Sequence, residues 1–96
     1  MTIQVLQLTA EGRIHKVYIK PSVDDIRTIL KGPIDTVKLF TGVQSFIRRQ
    51  PNELEENKLV HGVYGDVLFT GGHGSYIAGL SLQQISDITR MFRKEK

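Results

Sequence analysis

The dipeptide Gly32-Pro33 constrains this chain more than any other feature, because it closes a helix that Ser22 opens. In Ser22-Val23-Asp24-Asp25 the serine can cap free N–H groups, and Asp25 lies at the position that answers back. The two aspartates suit the positive end of the helix dipole. Val23, Ile26, Ile29 and Leu30 form one apolar stripe. Gly32 is expected to take the left-handed cap conformation, and Pro33 prevents continuation.

Strand-like segments flank this helix. Ile3 to Leu8 places Ile3 and Val5 on one face and Leu6 and Leu8 on the other. Ala10-Glu11-Gly12 supplies a turn, and in Arg13 to Ile19 the residues Val17 and Ile19 share a face. The short connection makes an antiparallel hairpin natural. Beyond the helix, Ile34 to Phe40 and Val43 to Arg49 read as a second hairpin around Thr41-Gly42. Pro51 breaks it, and Asn52-Glu53-Leu54-Glu55 predicts a short helix to about Val60. Val67 to Thr70 is a strand, with Tyr76 to Leu80 as its hairpin partner or an irregular return. Ser81-Leu82-Gln83-Gln84 opens the last helix with a capping-box pattern, and Leu82, Ile85, Ile88 and Phe92 form its expected buried stripe. The expected fold is a single α+β domain over residues 1–96, a mostly antiparallel sheet of five or so strands packed by two longer helices and one short helix.

The 96 residues suit one small domain, and 40% apolar with 24% charged residues is ordinary for a folded soluble chain. The chain has no cysteine, which excludes disulfides and thiolate metal sites. Met1-Thr2-Ile3-Gln4-Val5 lacks the pattern of a signal peptide, and no apolar run is long enough to span a bilayer. A cytoplasmic protein without membrane contact is the expectation. The net charge of +3 is uneven: eight Lys/Arg face four Asp/Glu through Gln50, and five face six from Pro51 onward. A mild positive potential favours an anionic ligand or partner. Arg90, Arg93, Lys94 and Lys96 crowd the last helix's C-terminal end, where the dipole alone gives them a structural role.

Chemistry concentrates in Gly71-Gly72-His73-Gly74-Ser75, which follows the strand beginning at Val67. Glycines permit close backbone approach and left-handed conformations, and consecutive N–H groups can form an anion nest. His73 and Ser75 add hydrogen-bonding side chains. Neither a Walker loop nor a dinucleotide fingerprint is present, so an ordinary hairpin loop is the alternative. Arg48-Arg49 is the other local cationic feature. One of the two can meet a phosphate through a charge-assisted bond, or the pair can protect an exposed strand edge. His15, His61 and His73 have no metal-ligand spacing, and no cofactor is expected. Ser75 and His73 lack an orienting carboxylate or oxyanion hole, so the sequence does not point to an enzyme.

The order of short motifs resembles a family of small phage and prophage proteins known as a domain of unknown function. The resemblance rests on Gln4-Val5-Leu6, Val17-Tyr18-Ile19, Asp25 to Gly32, Ile34-Asp35-Thr36-Val37-Lys38-Leu39, Pro51-Asn52-Glu53, Gly65 to Gly71 and Leu80 to Ile85. One glycine ends the first helix where the family often has two, and Gly71 to Ser75 replaces a usually more acidic segment. The resemblance implies a compact α+β accessory protein encoded by mobile DNA, with no catalytic residues to carry over. The expected function is therefore a non-catalytic accessory protein, of anti-defence type, that sequesters a small anionic, nucleotide-like ligand or a host protein. Its expected ligand-binding residues are Gly71, Gly72, His73, Gly74, Ser75, Arg48 and Arg49. A nucleic-acid-binding accessory using Arg48, Arg49 and the basic C-terminal helix is the alternative. A homo-oligomer covering a sheet edge is compatible with either.

Overall fold

The computed structural model describes residues 1–49 and 54–93. Its elements in chain order are β1 (Ile3–Leu8), β2 (Ile14–Ile19), α1 (Val23–Leu30), β3 (Ile34–Phe40), β4 (Val43–Arg48), β5 (Val67–His73), β6 (Tyr76–Ala78) and α2 (Leu82–Arg93). All strand pairs are antiparallel. The order across the sheet is β2-β1-β5-β4-β3, with β6 paired to β5.

β5 is central because it can be apolar on both faces. Val67, Leu68 and Phe69 are fully buried, whereas the edge strands β2 and β3 are exposed or half-buried apart from Ile19. Alternation then sorts the core into two layers. Val5, Leu68, Phe46 and Ile19 pack with Ile26 and Leu30 of α1, while Leu6, Leu8, Val67 and Phe69 pack with Ile85 and Ile88 of α2. The sheet thus carries one helix on each face. Beneath α2, Phe40, Phe69 and Phe92 form an aromatic cluster with centroids 5.6 to 5.8 Å apart.

The capping signals hold, with two changes of detail. Ser22 accepts from the Asp25 N–H at 3.2 Å, but Asp25 answers the Lys20 N–H at 2.8 Å rather than that of the cap. Ser81 accepts from the Gln84 N–H, and the Gln84 side chain accepts from the Ser81 N–H, completing a capping box. The left-handed residue ending α1 is Lys31 (φ 67°), not Gly32. Gly32 has another task, taken up below.

Four expectations about elements are corrected. The strand expected to end at Thr70 runs on through the glycine segment to His73 and pairs with β6, which makes six strands among the described residues. α1 has only eight residues, so it is not one of two longer helices. No helix forms over Leu54 to Val60; Asn52 and Glu53 lie outside the described residues. Leu54 finds Asn57, Lys58 and His61 where a helix needs apolar partners. Asn57, 2% exposed, competes for the backbone instead. It donates to the carbonyls of Thr9 and Gly65 and accepts from the N–H groups of Leu59 and Val60. Finally, Leu82 is 83% exposed at the first position of α2, where the helix overhangs the core. Its buried stripe is Ile85 and Ile88, with Phe92 half-buried.

Candidate functional site: two ends of the sheet

The expected ligand-binding residues fall into two groups at opposite ends of β4. Gln44 is in register with Thr70 and reaches the carbonyls of Gly71 and Tyr76 in the glycine hairpin. Arg48 is four residues further along, roughly 13 Å at strand rise. The glycine segment and the arginines therefore do not form one site.

At the first end, the glycines serve close backbone packing. Gly71, Gly72 and His73 are in register with Ala78, Ile77 and Tyr76, so this main chain is committed to a ladder rather than to an anion nest. A Cβ on Gly72 would land on the Tyr76 carbonyl oxygen, and one on Gly71 would lie 2.5 Å from the Gly79 carbonyl oxygen. Gly74-Ser75 is the two-residue turn. Gly74 has φ +59° and Ser75 has no positive φ, the pattern of a type II′ hairpin with glycine first.

An open cleft of about 330 Å³ remains beside this hairpin. Gly72, His73 and Gly74 line it together with Thr36, Lys38 and Phe40. The β4–β5 ladder reaches only to Gln44 and Thr70, and the following residues of β5 pair with β6. Its one lysine and its imidazole are exposed, and His73 packs edge-on to Tyr76 at 6.2 Å. Ser75 lies instead along a different depression, beside Met1, Pro21 and Tyr76.

At the second end, Arg27 and Thr28 of α1, Gly32-Pro33-Ile34 and Arg49 line an open cleft of about 460 Å³. Arg48 does not itself line it, but its guanidinium lies over Gly32, which does. β4 pairs Arg48 with Ile34, on the α1 face. A Cβ on Gly32 would meet the Arg48 Nε at 2.9 Å, Cζ at 3.2 Å and Nη2 at 3.3 Å. Gly32 is thus glycine because the guanidinium lies across its bare backbone. The Arg48 Nε is buried and has no hydrogen-bond partner among the described residues. Its neighbours are paired on the surface: Arg27 with Asp24 at 3.6 Å, and Arg49 with Asp35 at 3.0 Å and with the Ile34 carbonyl.

The remaining candidates have structural partners. Asp66 accepts from the Gln7 side chain and the Ala10 N–H, tying β1 to the start of β5. His61 pairs with Glu56 at 3.1 Å in a turn, and not at a helix end. His15 is exposed on β2. Among the described residues no three His, Asp or Glu side chains converge on a metal position. Arg90 is paired with Asp87 on α2, the helix on the sheet face opposite Arg48. Lys94 and Lys96 lie outside the described residues.

Sequence reasoning missed Arg27, Thr28 and Gly32 as parts of a site. The one available signal was that Arg27 stands in the last turn of a helix whose end is marked by Gly32-Pro33. Sequence gave no means of bringing Arg48 to that end. Among the described residues no helix is long and apolar enough to cross a membrane. No family model matches the chain, and no curated protein or solved structure was found to match it.

Proposed function

We propose that this chain is a non-catalytic accessory binding protein that sequesters a small anionic ligand at the arginine end of its sheet. One observation carries the reading: Arg48 is half-buried, its Nε is enclosed, and no acceptor or carboxylate among the described residues meets it. A buried cationic donor left unmade is costly, and such groups ordinarily pair. The C-terminal carbonyls of α1 attract a guanidinium electrostatically and explain its place. They do not supply Nε with an acceptor. An incoming anion does, from the adjacent concave space that Arg27 and Arg49 line.

The resemblance to phage accessory proteins supports the biological setting, a cytoplasmic protein that binds rather than transforms. Titration calorimetry with a panel of cyclic and linear nucleotides and simple phosphates tests the proposal. Binding that falls about tenfold or more in Arg48→Gln is expected, the scale of a hydrogen bond to a charged group. His73→Ala, at the other end, leaves affinity unchanged. No heat with any member of the panel removes the proposal.

A further inference from the structure

The arginine cleft contains its own competitors. Arg27 and Arg49 line it, and each is held by a carboxylate, Asp24 and Asp35 respectively. These are exposed pairs: the side chains are 58% and 90% accessible in the first and 60% and 51% in the second. Such pairs contribute little and exchange readily. Arg48, which no carboxylate among the described residues holds, lies across Gly32 and in register with Ile34.

From this arrangement we infer that Asp24 and Asp35 set the ligand class, making the cleft selective for a dianionic phosphate monoester over monoanions. The inference rests on the proposed anion site at Arg48. Its logic is electrostatic exchange. An anion that engages Arg27 or Arg49 must replace a carboxylate already there. A monoanion such as a carboxylate or a phosphodiester restores the charge it displaces, so its gain is confined to Arg48. A terminal phosphate carries between one and a half and two charges near neutral pH and has three acceptor oxygens. It can satisfy the Arg48 guanidinium and also outcompete the aspartates for the flanking forks. Arg27 from the last turn of α1 and Arg49 just past β4 line one cleft, and the Arg48 guanidinium lies across Gly32, which also lines it. They come from one end of the sheet, and Arg90 belongs to α2, the helix on the sheet face opposite Arg48. A compact terminal phosphate suits this geometry better than a polymer backbone, which is recognised along a basic track.

The test compares phenyl phosphate, dimethyl phosphate, acetate and a short single-stranded DNA, titrated at equal ionic strength into the full chain. The wild type is expected to prefer phenyl phosphate over dimethyl phosphate and acetate by about tenfold, one additional charge-assisted bond. In Asp24→Asn and Asp35→Asn, binding of all small anions tightens, roughly two- to fivefold per substitution, and the preference shrinks because monoanions gain most. Both substituted side chains are on the surface, so the fold is retained. Unchanged or weakened binding in the asparagine variants overturns the inference. So does equal affinity for monoester and diester, or tighter binding of the DNA than of phenyl phosphate. If Arg48→Gln weakens phenyl phosphate binding but the aspartate variants do nothing, the anion site stands and only its selectivity device fails. If Arg48→Gln has no effect, the site itself is refuted.

Discussion

The two ends of β4 use glycine for opposite purposes. At the hairpin end, Gly71 and Gly72 let one backbone lie against another, and the polar main chain there is consumed by β6. The amide of Gln44 meets the carbonyls of Gly71 and Tyr76 beside it. At the arginine end, Gly32 lets a charged side chain lie against backbone, and that charge has no acceptor at Nε among the described residues. The first arrangement satisfies its main chain within the hairpin, and the second leaves a buried side-chain donor unsatisfied among the described residues. Glycine content alone therefore does not mark a binding site. What lies over the missing Cβ distinguishes the cases.

Substitutions at these positions can break or sharpen the contrast. The largest effect is expected for Gly72→Ala, which forces a Cβ onto the Tyr76 carbonyl at a positive φ. Urea denaturation should show a loss of about 3 kcal/mol or more, combining left-handed strain with overpacking. Retention of wild-type stability would mean that the hairpin is not packed as described. A smaller loss, about 2 kcal/mol, is expected for Gly32→Ala, because the neighbour that must yield is a side chain. Part of that loss returns in an Arg48→Ala background, and full additivity of the two changes would separate Gly32 from Arg48. Gly74→Ala meets nothing within 4 Å and keeps only the cost of its φ of +59°. It should lose about 1 kcal/mol by the same measurement. The smallest effect is expected for Arg48→Met. Removing an enclosed donor without a partner should leave stability within about 0.5 kcal/mol of wild type, because lost packing and relieved desolvation oppose each other. A large loss there would show that Arg48 has a structural partner.

Local signals in the sequence were enough for most of the architecture. Ser22, Ser81 and Gly42 marked boundaries through capping and turn chemistry, and the alternation in Ile3 to Leu8 correctly divided the two core layers. Failures arose where a local pattern had a non-local competitor. The segment after Pro51 resembles a helix start, but Asn57 is claimed by Thr9 and Gly65, from segments the pattern does not contain. Leu82 has the right spacing for the buried stripe, but the core ends before it. Gly71 and Gly72 looked like a loop because their low strand propensity hides how closely β6 approaches. Of the candidate site, Arg48 and Arg49 were legible as charges. Their neighbours Arg27 and Gly32 were not, since only the β3–β4 hairpin folds Arg48 back beside the end of α1.

The contrast between the ends is tested most directly by heteronuclear NMR of the full chain during titration with phenyl phosphate. The arginine side-chain Nε–Hε signals and the backbone amides of residues 71 to 75 report the two ends in one experiment. The Arg48 Nε–Hε signal should move progressively to saturation, with smaller shifts for Arg27 and Arg49, while the hairpin amides stay in place. Movement of the Gly72 to Ser75 amides with a stationary Arg48 signal would contradict the account.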